Sequence, residues 1–180
     1  MIVSEKDRPP FNPSLALISG VLAVSTGAIF AKLAEAPALV IAAYRVGLAS
    51  VILAPIAWWK VRDELMGLEM REYILALLSG FFLALHFSSW ISSLSYTSVA
   101  NSVVLVNTNP LWVAVLTPLI SKDRLTLMTK ISIVISVIGG AIIGAGDFAT
   151  GGQAIWGDFL ALLGSICAAI YLSLIHISEP

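Results

Sequence analysis

Residues 86–120 read HFSSWISSLSYTSVANSVVLVNTNPLWVAVLTPLI, the core of a run from residue 73 to 121 that holds no Asp, Glu, Lys or Arg. An apolar helix needs about 20 residues to cross a hydrocarbon core of about 30 Å, so the run is long enough for two crossings joined by a turn at residues 95–98. Its few polar residues are patterned. At 100° per residue Ser79, Phe82, His86, Trp90 and Ser93 share one helix face, while Leu77, Ala84, Phe87 and Ile91 share the opposite one. The first face is expected to meet protein or solute and the second to meet lipid.

Beyond the turn, Asn101, Ser102, Thr108, Asn109 and Trp112 fall within about a third of the circumference of a 3.6-residue helix. Asn107 points elsewhere and is expected to bond a neighbouring helix. Pro110 has no N–H for the carbonyl of Val106, so the helix is expected to open where the amides cluster. Opened backbone beside amides and an indole suits a polar solute.

Composition extends this reading to the whole chain. Of 180 residues 58% are hydrophobic and 12% charged, against roughly 25% charged in soluble domains. The fold class is therefore an all-α membrane protein, a polytopic helix bundle. The net charge of −1 and the scatter of basic residues among short loops exclude a nucleic-acid-binding stripe. Cys167 is the single cysteine, so no internal disulfide forms, and its place in an apolar run gives it a packing role.

Six spans are expected, at about 12–33, 38–59, 73–94, 99–120, 125–144 and from 157 onward, with Pro13 in the first turn of the first. Trp58 and Trp59 close the second span as an interfacial belt. Residues 144–157, GAGDFATGGQAIWG, read as a glycine-rich loop. No small-residue cleavage site follows the polar start MIVSEKDRPPFNP, so the first span is expected to remain as an anchor. Lys6, Arg8, Lys60, Arg62, Arg71, Lys122, Arg124 and Lys130 lie at one set of loops and span ends, and Lys32 at the other. By the positive-inside rule the first set and the amino terminus are cytoplasmic, in a cell membrane.

The sixth span repeats the first. LALISGVLA from Leu15 aligns with LALLGSICA from Leu160 at an offset of 145 residues. Five spans is an odd number, so the repeat would be inverted across the membrane, as in many secondary transporters. The segments APALVIAAYR (36–45), SLSYTSVANSVVLVNTNPLWVAVL (93–116) and IGGAIIGAG (138–146) resemble the EamA family of the drug/metabolite transporter superfamily. That resemblance implies ten spans in two five-helix inverted repeats and transport, often outward, of amino acids, other metabolites or drugs. It also implies a division into a cytoplasmic segment 1–11, a first repeat 12–146, an extracytoplasmic loop 147–156 and the first helix of a second repeat 157–180. The terminal LSLIHISEP places His176 and Glu179 where a crossing should finish and is similar to translated sequencing-adapter read-through. A truncated gene is therefore expected, with a missing second half or a homodimer partner in its place.

The candidate solute-binding residues are His86, Trp90, Asn101, Thr108, Asn109 and Trp112, of which Trp112 lies deeper than Trp90. Interhelical hydrogen bonding competes with solute contact for the asparagines, at about 0.6 kcal/mol per bond, and interfacial anchoring competes for Trp90. Arg45 is the one formally charged residue deep in a span and needs a partner. It is read, with Tyr44 and Pro110, as gating or structural: it holds an anion or a gate, or it reaches the interface or backbone carbonyls. His86, with an unperturbed pKa of about 6.5, is either a proton-coupling group or a neutral bundle histidine. Gly140 and Gly144 are spaced for close helix packing. No catalytic constellation, phosphate loop, metal cluster or cofactor motif is present in the sequence, which makes an intramembrane enzyme the weakest reading. The rival to a transporter is a complete six-helix interaction or assembly protein.

Overall fold

The computed structural model describes residues 12–120, 126–150 and 152–178, with side chains left out at 117–120, 143–144, 147–150 and 176–178. Lys6, Arg8, Lys122, Arg124 and Glu179 lie outside the described residues, as do the His176 side chain and the surroundings of Gly144. The elements are α1 (Pro13–Leu33), α2 (Ala38–Met66), α3 (Met70–Ser93), α4 (Val99–Val106), α5 (Asn109–Ile120), α6 (Leu127–Thr150) and α7 (Gln153–Ser178). Every regular element among the described residues is helical. Five segments are long and apolar enough to cross a membrane, with α4 and the start of α5 together making one of them, and α6 carries a shorter apolar stretch, Leu127–Ile142.

Local chemistry sets the helix starts. The Asn12 side chain accepts the Ser14 N–H at 3.0 Å with Pro13 beside it, so α1 begins where the sequence places it. Glu69 and Glu72 form a reciprocal capping box at α3, and the Ser98 hydroxyl accepts the Asn101 N–H at α4. Leu15, Leu17, Leu22, Val24 and Phe30 of α1 are all more than half exposed. A helix of 21 residues is about 31 Å long, so these side chains match the thickness and polarity of lipid tails.

Helix α7 is the hub, packing along α3 and also touching α4, α5 and α6, while α2 packs on α3 and α1 on α4. Close approach is possible because α7 presents Gly157, Ala161, Gly164 and Ser165, all buried. Two hydroxyls seal the α3–α4 contact. Ser93 donates to the Trp90 carbonyl at 2.6 Å and therefore accepts from Ser102, also at 2.6 Å, with both side chains fully buried. At the end of the bundle shared by the α1–α2, α3–α4 and α6–α7 turns, the Lys32 ammonium donates to the Leu94 carbonyl and satisfies an end group of α3. A Cβ on Gly140 of α6 would lie 3.8 Å from Leu105 Cδ2 of α4, an ordinary van der Waals distance.

Three expectations change. First, α2 does not stop at Trp59 but runs to Met66, with a non-helical residue at Val61 (φ −131°, ψ 25°). Lys60, Arg62, Asp63 and Glu64 follow the tryptophans there, so a polar helical extension is soluble beyond the apolar span. Second, residues 147–156 are largely helical: α6 reaches Thr150 and α7 starts at Gln153. Gly in a helix costs only about 1 kcal/mol, so the glycines of 144–157 do not dissolve it, and the chain turns at Gly152, whose φ of 78° is a left-handed value that favours glycine. Third, Phe87 and Ile91 are not lipid-facing. Ile91 is 2% exposed and packs in the core with Ala42, because the start of α2 packs on the C-terminal half of α3 and covers that second face there; Leu77, in the N-terminal half, stays 74% exposed.

Candidate functional site

A cavity of about 280 Å³ opens between α1, α2, α3 and the α4–α5 junction. Val24, Ser25 and Ala28 of α1 wall one side, Arg45 of α2 another, and His86, Phe87 and Trp90 of α3 a third. Val103, Val106, Asn107 and Asn109 complete it from the junction. Arg45 lies seven positions after the start of α2, His86 seven positions before the end of α3, and Asn107, the C-cap of α4, eight positions after the start of that helix. At 1.5 Å per residue each sits about 11–12 Å below the same end of the bundle. The site therefore lies about a third of the way along α3 from that end, inside the apolar segments, where polar side chains are costly unless they find partners.

The α4–α5 junction is the break expected from Pro110. Asn107 and Thr108 leave the helix, the Thr108 N–H turns back to Leu105 at 3.2 Å, and the helix restarts at Asn109. The Thr108 hydroxyl lies 2.6 Å from the Leu105 carbonyl and 3.0 Å from the Ser165 hydroxyl, which ties the opened backbone to α7. The break also invalidates a single helical wheel across residues 101–112. Asn107 consequently joins Asn109 at the cavity rather than pointing to another helix, with its amide N–H₂ donating to the Val103 carbonyl one turn back at 2.8 Å.

His86 Nδ1 lies 2.8 Å from the Gly164 carbonyl. A carbonyl only accepts, so Nδ1 carries the proton and Nε2 is the acceptor in the neutral ring. The imidazole stacks on Trp90 at 5.9 Å and contacts Phe87 at 4.8 Å. Among the described residues no backbone carbonyl accepts a hydrogen bond from Arg45. Its guanidinium lies over the rings of Phe87 and Trp90, at 4.8 and 5.4 Å. On the other side α1 comes close enough that a Cβ on Gly27 would sit 3.1 Å from Nη1.

Of the residues singled out in the sequence, the structure brings His86, Trp90, Asn109 and Arg45 to one cavity. Trp90 is 7% exposed and Trp112 does not line the cavity, which reverses the order expected from depth alone. Packing of α1, α2 and α7 around the C-terminal turns of α3 buries Trp90. The Trp112 indole N–H is buried, with no acceptor among the described residues. Thr108 supports the junction behind the wall, Asn101 sits in the first turn of α4, and Tyr44 is exposed on the far side of α2 from the packed face. The sequence pattern puts Phe87 toward lipid and Asn107 toward a neighbouring helix, whereas both line the cavity, and it gives no role to Asp158 of α7, which is buried. A charge in the second turn of an apolar span was the available signal for Asp158.

Comparison with curated proteins and with solved structures gives no significant match. The model of the EamA-like transporter family matches residues 13–145, which includes every helix that walls the cavity. The chain belongs to the EamA-like transporter family.

Proposed function

We propose that the chain moves small polar or amphipathic metabolites outward across a cell membrane by alternating access, with the cavity between α1, α2, α3 and the α4–α5 junction as its solute site. The observation that supports this reading is the convergence of Arg45, His86, Trp90, Asn107 and Asn109, from three apolar segments, on one space inside those segments. Carriers of inverted-repeat type bind solutes within the membrane, beside interrupted helices. The interruption at residues 107–108 supplies this feature. A second five-helix half, or a second copy of the chain, is the proposed partner that closes the cavity and moves against it.

In proteoliposomes, Asn109→Ala is expected to lower saturable uptake of a substrate found in an amino-acid panel by about tenfold, the order of one lost hydrogen bond. Leu77→Ala, on the lipid-facing stretch of α3, is expected to leave uptake within twofold. Equal losses for both variants, or loss of membrane abundance for Asn109→Ala, would count against the cavity as the solute path.

The distribution of Lys and Arg supports a cytoplasmic amino terminus. In a Cys167→Ala background, Ser95→Cys is expected to react with an impermeant thiol reagent in intact cells and Gly67→Cys to react only after lysis. Both positions are exposed, at opposite ends of α3. The reverse labelling pattern would invert the orientation.

A further inference from the structure

We propose that the cavity binds a monoanionic carboxylate, with the Arg45 guanidinium as the group that holds it; this rests on the reading of the cavity as a solute site. The guanidinium lines the cavity about 11 Å inside a membrane span. Among the described residues no carboxylate approaches it, and its neighbours are the faces of Phe87 and Trp90 and the bare backbone at Gly27. The cavity wall contains no Asp or Glu. The rings and the glycine hold the guanidinium without neutralising it.

A lone cation at this depth is costly, and the cost is relieved by a counter-ion inside the cavity. A cationic solute would be repelled, and a neutral one would leave the charge unpaired. One positive charge matches one negative charge, so a carboxylate fits better than a phosphate monoester dianion, which would carry surplus charge into a low dielectric. The planar fork of Arg also matches a carboxylate in bidentate geometry. Asn107 and Asn109 offer amides for the remaining polar groups, and Phe87 and Trp90 offer an apolar wall. The volume of about 280 Å³ lies at the small end of ligand pockets, which run to about 1,000 Å³, and so favours a compact acid.

The test uses the full chain in nanodiscs and four probes that share a phenyl ring: benzoate, benzamide, phenyl phosphate and benzyltrimethylammonium. Equilibrium dialysis with labelled probes is expected to give saturable benzoate binding roughly 10- to 100-fold tighter than benzamide, the range for one charge-assisted hydrogen-bonding pair, with the other two weaker than benzoate. Arg45→Gln is expected to abolish the benzoate preference while retaining benzamide binding. Arg45→Lys is expected to keep part of the preference, since it keeps the charge but loses the fork. The comparison among probes on the unmodified chain decides the matter even if a variant fails to fold. Equal binding of benzoate and benzamide would overturn the carboxylate assignment and leave the cavity as a solute site. Preference for phenyl phosphate or for the ammonium probe would overturn it too. No saturable binding of any probe would overturn the solute site and this inference together.

Discussion

A side chain introduced at Gly157 is expected to drive α7 off α3 and unfold much of the bundle. A Cβ there would lie 2.7 Å from the Thr97 backbone nitrogen and 2.8 Å from the Thr97 Cβ, with no flexible side-chain tip to give way. Overpacking of a close-packed interior costs about 1–3 kcal/mol and sometimes more, and here the obstacle is the backbone of the α3–α4 turn at Thr97, on which the start of α7 rests. Gly157→Ala is expected to fall in that range and Gly157→Leu to exceed it, read as loss of folded protein in denaturant titrations in detergent. Gly20→Leu is the control, because nothing lies within 4 Å of a Cβ at Gly20. Stability of Gly157→Leu equal to that of the control would show that α7 does not seat on the α3–α4 turn as described.

Trp90→Ala carries the second large effect. The indole is buried, stacks on His86, touches Phe87 at 6.2 Å and lies under the Arg45 guanidinium, so its removal empties the outer core and frees the cavity wall at once. Truncating a buried Trp to Ala costs about 3–5 kcal/mol. Trp90→Phe is expected to cost far less, because it keeps an aromatic body and discards an indole N–H that has no acceptor among the described residues. Trp59→Ala should change stability by about 0.5 kcal/mol or less, as that ring is 86% exposed. Comparable losses at positions 59 and 90 would contradict the buried placement of Trp90.

The candidate site was partly legible before the fold was known. His86, Trp90 and Asn109 could be found as rare polar and aromatic residues on one face of apolar spans, and Arg45 as a charge too deep to be incidental. Asn107 was not legible as a wall residue, because the wheel that placed it elsewhere assumed an unbroken helix through Pro110. Phe87 was assigned to lipid for a similar reason: the period of α3 fixes its faces, but the crossing of α2 decides which stretch of each face is covered.

Composition and the spacing of charges determined by themselves that the chain is a membrane bundle. About 20 apolar residues must form a closed set of backbone hydrogen bonds to enter lipid, and only a helix does so within one segment. The start of α1, the opening at Pro110 and the resemblance to a transporter family are equally local properties. Burial is not local. LALISGVLA in α1 and LALLGSICA in α7 share their Leu-Ala-Leu opening and a run of small and apolar residues, yet Ala16 and Gly20 are exposed while their counterparts Ala161 and Ser165 are fully buried. Small residues permit close approach but do not supply the neighbour, and for α7 that neighbour is α3, more than 60 residues earlier in the chain. The tertiary structure alone decided which copy became the hub, and with it which polar side chains came to share a cavity.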